Sequence, residues 1–150
     1  MKTSGIEKME PQHLDEVLLI ETSSSPTPWS REMFLEELRN PLTYSFIYRV
    51  DEPQGHPLAG FICFRNVGEE SELLNIGVHP LYRRMGIGRK LMQFYIEFGK
   101  AKQIKTFYLE VGVSNPPAIR LYQGFSYQPA GTRKKFYQGR FDALMMVKRA

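Results

Sequence analysis

Cysteine is nearly absent from this 150-residue chain: Cys63 stands alone. An internal disulfide and a cysteine-based metal site are therefore excluded. Cys63 lies in the apolar run "LAGFICF", where a small buried hydrophobe fits better than a reactive thiol. Histidine is scarce too, and His13, His56 and His79 show no ligand spacing, so no metal is expected. No apolar run approaches the ~20 residues of a membrane span. The opening "MKTSGIEKMEPQHLDE" has no signal-peptide core, so the expectation is a cytoplasmic protein with no membrane partner. Internal repeats and low-complexity linkers are missing as well. What remains is ordinary: 42% hydrophobic and 24% charged residues, in a length that suits one domain, 1–150, with one core. A net charge of +4 fits an anionic small ligand or weak nucleic-acid affinity and decides neither.

The periodicity changes along the chain. Residues 11–21 carry Leu14, Val17, Leu18 and Glu21 at helical spacing, and residues 30–38 carry Phe34, Leu35 and Leu38, with Ser30 as N-cap. Between them lies "SSSPTPWS", the one proline-marked loop, whose Trp29 reads as a packing anchor. Residues 43–50, 57–67 and 71–78 are rich in aromatic and β-branched types and read as strands. A long amphipathic helix is expected over 86–100, with Ile87, Leu91, Phe94, Tyr95 and Phe98 as its stripe. A strand over 105–113, a short helix opening at "SNPPAIRLY" and two strands around "YQPAGTRKKFY" and "FDALMMVK" complete the order, with "GIEKM" as a further strand at the start. Hairpins followed by a βαβ crossover and another hairpin predict an α+β fold: a mixed sheet with helices on both faces.

Two stretches carry chemistry. In "HPLYRRMGIGRKLM" a basic glycine loop joins a strand to a helix start. Unpaired N–H groups at a helix N-terminus attract phosphate, and glycine lets an anion approach the backbone. Neither a dinucleotide fingerprint nor a Walker loop is present, and a basic helix start with no ligand stays open as the plainer alternative. In "LEVGVSNPPAIRLY" the alternation of Phe107, Leu109 and Val111 puts Glu110 on the opposite face, beside Tyr108. Glu110 is then either a solvated strand acid or part of a site. Asn115 with Pro116 after it makes a natural helix start, and Tyr122 falls on an apolar stripe, as a packed core tyrosine would. "RKK" at 133–135 reads as a solvated strand face rather than a nucleic-acid patch.

With those residues in view, the chain resembles the GNAT superfamily of acetyl-CoA-dependent N-acetyltransferases. "RRMGIG" matches the superfamily's Gln/Arg-x-x-Gly-x-Gly/Ala pyrophosphate motif. More narrowly, "PWSREMFLEEL", "LLNIGVHPLYRRMGIGRKLM", "LEVGVSNPPAIRLY" and "GTRKKFY…DALMMVK" run in the order seen in ribosomal-protein-alanine N-acetyltransferases. The resemblance implies a GNAT acyl-CoA N-acyltransferase fold with acetyl-CoA as co-substrate. It implies that the backbone of Ile76, Gly77 and Val78 pairs with the pantetheine arm. It further implies that Arg84, Met85, Gly86, Ile87, Gly88 and Arg89 hold the pyrophosphate and that Asn115 touches the cofactor. Glu110 matches the family's general base and Tyr122 its general acid. Gly112 stands where relatives commonly carry arginine, and Ser126 where a glycine is expected.

The implied activity is acetyl transfer to an N-terminal α-amine, with a ribosomal protein as the acceptor partner. The alternatives are a small-molecule amine or a lysine as acceptor, or a non-catalytic acetyl-CoA-binding module. An α-amine, with a reference pKa of about 7.7–8.0, is partly neutral near pH 7, and a carboxylate can remove its proton directly or through water. A phenol can protonate the departing thiolate, and a backbone N–H near Val78 can stabilise the oxyanion. No metal and no covalent enzyme intermediate are required.

Overall fold

The computed structural model describes residues 5–137 and 141–150. The elements follow the expected order: β1 (Gly5–Lys8), α1 (Leu14–Ser24), α2 (Arg31–Arg39), β2 (Thr43–Arg49), β3 (Leu58–Val67), β4 (Glu70–Val78), α3 (Ile87–Ala101), β5 (Thr106–Gly112), α4 (Pro116–Gln123), β6 (Gln128–Tyr137) and β7 (Phe141–Arg149). Short 3₁₀ turns precede α1 and follow β4. The seven strands line up as β1-β2-β3-β4-β5-β7-β6. The β4–β5 pair is parallel, while β1–β2, β2–β3, β5–β7 and β6–β7 are antiparallel. The expected mixed sheet is therefore present. The β4–β5 ladder runs Glu70↔Thr106, Ser71↔Phe107 and Glu72↔Tyr108.

The chain forms two compact units. The first comprises the chain up to Arg65 together with Leu74–Leu91. Its core is set by the inward positions of α1 and α2 against β2 and β3. Leu14, Val17 and Ile20 from α1, Phe34 from α2, and Ile47, Phe61 and Cys63 from the strands are all essentially buried. Burying such a side chain stabilises the fold by about 1.5–3 kcal/mol. Ser30 caps α2 as expected, its Oγ accepting from Met33 N at 3.2 Å. Trp29 packs edge-on against Phe34, with ring centroids 5.0 Å apart, which makes it the anchor its loop suggested.

The second unit comprises Asn66–Leu73 and the chain from Met92 onward. Phe107, Leu109 and Val111 of β5 point into its core beside Met146 of β7. Tyr95 of α3 meets Phe107 edge-on at 5.5 Å, and its hydroxyl bonds Ser71 Oγ at 2.8 Å. The buried side of α3 differs in detail from its apolar stripe. Leu91, Met92, Tyr95 and Ile96 are buried, whereas Phe94 and Phe98 are half-buried and lean on each other at 5.7 Å.

Three non-glycine residues among those described lie in the left-handed region: Arg84, Gln103 and Ser126. Ser126, at φ 70, closes the turn after α4, where Phe125 N and Tyr127 N both donate to Tyr122 O. This explains why a glycine is expected there: only glycine adopts that backbone without steric cost.

Candidate active site

In the first unit, β4 ends at Val78 and the chain turns through Pro80–Tyr82. His79 starts this turn, its Nδ1 accepting from Leu81 N at 3.1 Å. Arg83 is extended, Arg84 is left-handed at φ 66 and Gly86 at φ 78. A left-handed arginine costs about 1–3 kcal/mol, a strain that clusters at ligand sites. Lys90 N makes the first helical bond of α3, to Gly86 O at 3.0 Å. The N–H groups of the first turn, Ile87 and Gly88 among them, thus have no acceptor within the helix. A Cβ added at Gly86 would meet nothing within 4 Å, so there is room at that backbone.

Charge adds to the argument. The first turn of α3 contains no acidic residue, while Arg83, Arg84, Arg89 and Lys90 are exposed around it. Cations crowded at the positive end of a helix repel one another and the dipole. A bound polyanion relieves that repulsion, so the turn fits a pyrophosphate. Ile76, Gly77 and Val78 form the C-terminal end of β4, which feeds this turn.

In the second unit, Glu110 lies on the face of β5 opposite the core residues, with a side chain 16% exposed. Arg133 Nη2 donates to Glu110 Oε1 at 2.8 Å. The register explains this reach. Met145 of β7 faces Glu110, and Ala143, on the same side of β7, faces Arg133 of β6. The small Ala143 lets the long arginine cross the middle strand. Arg133 is half solvated, as "RKK" suggested, but it is also the ion-pair partner of Glu110, which the sequence did not reveal. The irregular register of β6 between Pro129 and Gly131 hides the pairing from any alternation pattern.

Asn115 caps α4, its Oδ1 accepting from Ala118 N at 3.3 Å. Tyr122 is 6% exposed and packs against Tyr127, with ring centroids 5.9 Å apart. Its ring therefore belongs to the core, as its apolar stripe indicated.

A family model described as the acetyltransferase (GNAT) family matches residues 14–127. The chain belongs to the acetyltransferase (GNAT) family. A Bacillus subtilis (strain 168) relative, the putative ribosomal protein bS18-alanine N-acetyltransferase, is 38% identical over 97% of this chain and 96% of its own. The ribosomal protein bS18-alanine N-acetyltransferase of Escherichia coli (strain K12) is 31% identical over 95% of each chain. The crystal structure of the ribosomal-protein-S18-alanine N-acetyltransferase from Escherichia coli superposes with a TM-score of 0.86 at 29% identity, over 98% of this chain and 94% of that one.

As a GNAT enzyme the chain is an N-acetyltransferase, and acetyl-CoA is the donor that the family uses. The structure sorts the sequence-derived residues into two groups. Ile76, Gly77, Val78, Arg84, Met85, Gly86, Ile87, Gly88 and Arg89 belong to the first unit, and Glu110, Asn115 and Tyr122 to the second. The turn-and-helix start is the part whose local geometry offers helix-start N–H groups and exposed cations to an anion.

A further acid stands apart from the sequence-derived site residues. Glu21 is 2% exposed, and its Oε2 accepts from Trp29 N at 2.8 Å and from Asn75 Nδ2 at 3.0 Å. Burial pushes its carboxyl above the usual range, against the opposing effect of those two bonds. The signal was present: Glu21 occupies an apolar-stripe position of α1, where an exposed acid would not be expected. Cys63 is fully buried, and burial pushes its thiol up to about 12, which suits an inert packing residue. No helix among the described residues is long and apolar enough to cross a membrane.

Proposed function

We propose that this enzyme transfers acetyl from acetyl-CoA to the N-terminal α-amine of a protein, with a ribosomal protein as its acceptor. The carrying observation is the 38% identity, over nearly the whole of both chains, to the putative bS18-alanine N-acetyltransferase of Bacillus subtilis. The chain 1–150 then works as one GNAT domain. The reaction runs in the cytoplasm, where acetyl-CoA and newly made ribosomal proteins coexist.

In this scheme the N–H groups at the start of α3 hold the pyrophosphate, and the glycines at 86 and 88 let it come close. Arg84 and Arg89 add charge, Met85 and Ile87 shape the turn, and Asn115 flanks the cofactor while capping α4. The backbone of 76–78 pairs with the pantetheine arm. Glu110, paired with Arg133, takes the proton from the attacking ammonium directly or through water. The neutral amine attacks the thioester carbonyl, the C–S bond breaks, Tyr122 protonates the departing thiolate, and the second proton shed by the new amide nitrogen restores the Tyr122 phenol through solvent. Direct transfer of this kind leaves no acetyl group on the enzyme.

An acceptor panel tests the activity. The enzyme is incubated with acetyl-CoA and N-terminal peptides, lysine peptides or small amines, and the products are weighed. Acetylation of the α-amine peptides is expected; acetylation of only lysines or small amines overturns the acceptor class. Glu110→Gln is expected to slow turnover and to make the rate climb about tenfold per pH unit below pH 7.7, as the neutral amine fraction does. A profile parallel to that of the parent enzyme removes Glu110 from the base role. Tyr122→Phe is expected to slow chemistry with little change in acetyl-CoA affinity, and full activity returns Tyr122 to a packing role.

A further inference from the structure

Glu21 sits three residues before the end of α1, on its buried face. Both of its side-chain bonds converge on one oxygen and come from separate elements: the Trp29 backbone, just ahead of α2, and the Asn75 side chain on β4. A buried carboxylate is a costly way to fill an apolar helix face, so its role lies in what it ties together.

The tied segment is the loop 25–30, which carries Pro26 and Pro28; within it Ser25 Oγ accepts from Thr27 N at 3.1 Å, and its Trp29 ring rests on Phe34. Its upstream neighbour Ser24 lies against the end of β4. Ser24 Oγ donates to Val78 O at 3.5 Å and accepts from Arg83 Nη2 at 3.2 Å. The end of α1 and the loop that follows thus run beside Val78 and the basic turn, while Asn75 immediately precedes Ile76. Glu21 fixes the loop there without touching the backbone of 76–78 or the first turn of α3.

We propose that Glu21 is a positioning residue for the acceptor. By clamping the Trp29 backbone to Asn75, it holds the loop 25–30 as a wall beside the end of β4, against which a peptide N-terminus is placed. This rests on the activity proposed above, which puts the acyl donor along 76–78. Because Glu21 contacts the loop and not the donor segment, its removal weakens acceptor use selectively.

Trp29 is the sole tryptophan, so its emission reports the loop directly, with or without turnover. Glu21→Ala is expected to shift that emission to the red. It is also expected to raise the acceptor-peptide KM about tenfold or more, the loss of hydrogen bonds to a charged group, with acetyl-CoA KM changed less than about twofold. Glu21→Gln keeps an oxygen for both donors, so its emission and acceptor KM should stay close to those of the parent enzyme. Should Glu21→Ala not fold, Asn75→Ala carries the same test, with the same direction at about threefold, since the Trp29 bond survives. Unchanged emission and acceptor KM in a folded Glu21→Ala or Asn75→Ala protein overturns the proposal, as does an equal rise in both KM values. If the parent enzyme acetylates no α-amine, the acceptor assignment fails by itself, while the emission of Glu21→Ala still decides whether Glu21 fixes the loop.

Discussion

Replacing Gly77 with alanine probes the tightest packing along β4. A Cβ built at Gly77 falls 2.6 Å from Phe61 Cε2 and 3.0 Å from Ile20 Cγ2. Real Cβ atoms essentially never approach so closely, so Phe61 or β4 must move. Phe61 has no free direction: it is fully buried and meets Phe34 edge-on at 5.6 Å, and Ile20 is fully buried as well. Overpacking a close-packed core costs about 1–3 kcal/mol, and alanine returns about 0.5–1 kcal/mol of the backbone entropy that glycine loses. The net expectation is a destabilisation of about 1–2 kcal/mol, which at about 2–4 °C per kcal/mol for a chain of this size lowers Tm by about 2–8 °C. Calorimetry or urea unfolding measures it. A double-mutant cycle with Phe61→Leu, which removes the clashing edge, should show a favourable coupling of about 1 kcal/mol. A Gly77→Ala protein as stable as the parent, or a cycle with no coupling, refutes the packing argument.

Three further expectations follow from local geometry and charge. Ser126→Gly, relieving the left-handed serine at φ 70, should raise stability by about 1 kcal/mol in urea unfolding; a loss would show that the serine side chain does more than tolerate the turn. Acetyl-CoA at about 100-fold over its Kd should stabilise the fold by about 2.7 kcal/mol, or about 5–10 °C in Tm, and the absence of any shift would remove the α3 start as a CoA seat. Glu21 has its folded pKa raised by burial above the ordinary value of 4.5, so between the unfolded and folded pKa values the native state keeps a proton that the unfolded chain has released. Stability therefore falls as pH rises through that window, and the deficit persists above it. Glu21→Gln should accordingly exceed the parent in stability at neutral pH and converge with it below about pH 4; a constant difference across pH would contradict the burial cost.

Much of the fold was legible because it rests on local rules. Period-two alternation identified β5 and its two faces, the apolar stripes identified α1 to α3, and Ser30 and Asn115 announced their caps. The glycine-rich basic turn was legible for the same reason: it is built from consecutive residues, which are what a sequence shows. Even Ser126, out of place as a residue, was visible as a departure from the family pattern before its left-handed backbone explained it.

Tertiary structure decided what depends on neighbours distant in the chain. Arg133 reaches Glu110 because two strand registers and a small Ala143 bring them together across β7, and no spacing in the sequence encodes that path. Glu21 looked like one more residue on a helical stripe until β4 delivered Asn75 to it and the proline loop turned Trp29 N back upon it. Phe61 makes Gly77 costly to replace only because β3, β4 and α1 are packed to contact. The sequence by itself determined the elements, the family and the glycine-rich basic turn, since each is written in contiguous residues. Which charges are paired and which acid is buried came only with the folded chain, because electrostatic partnership and desolvation are properties of space rather than of order.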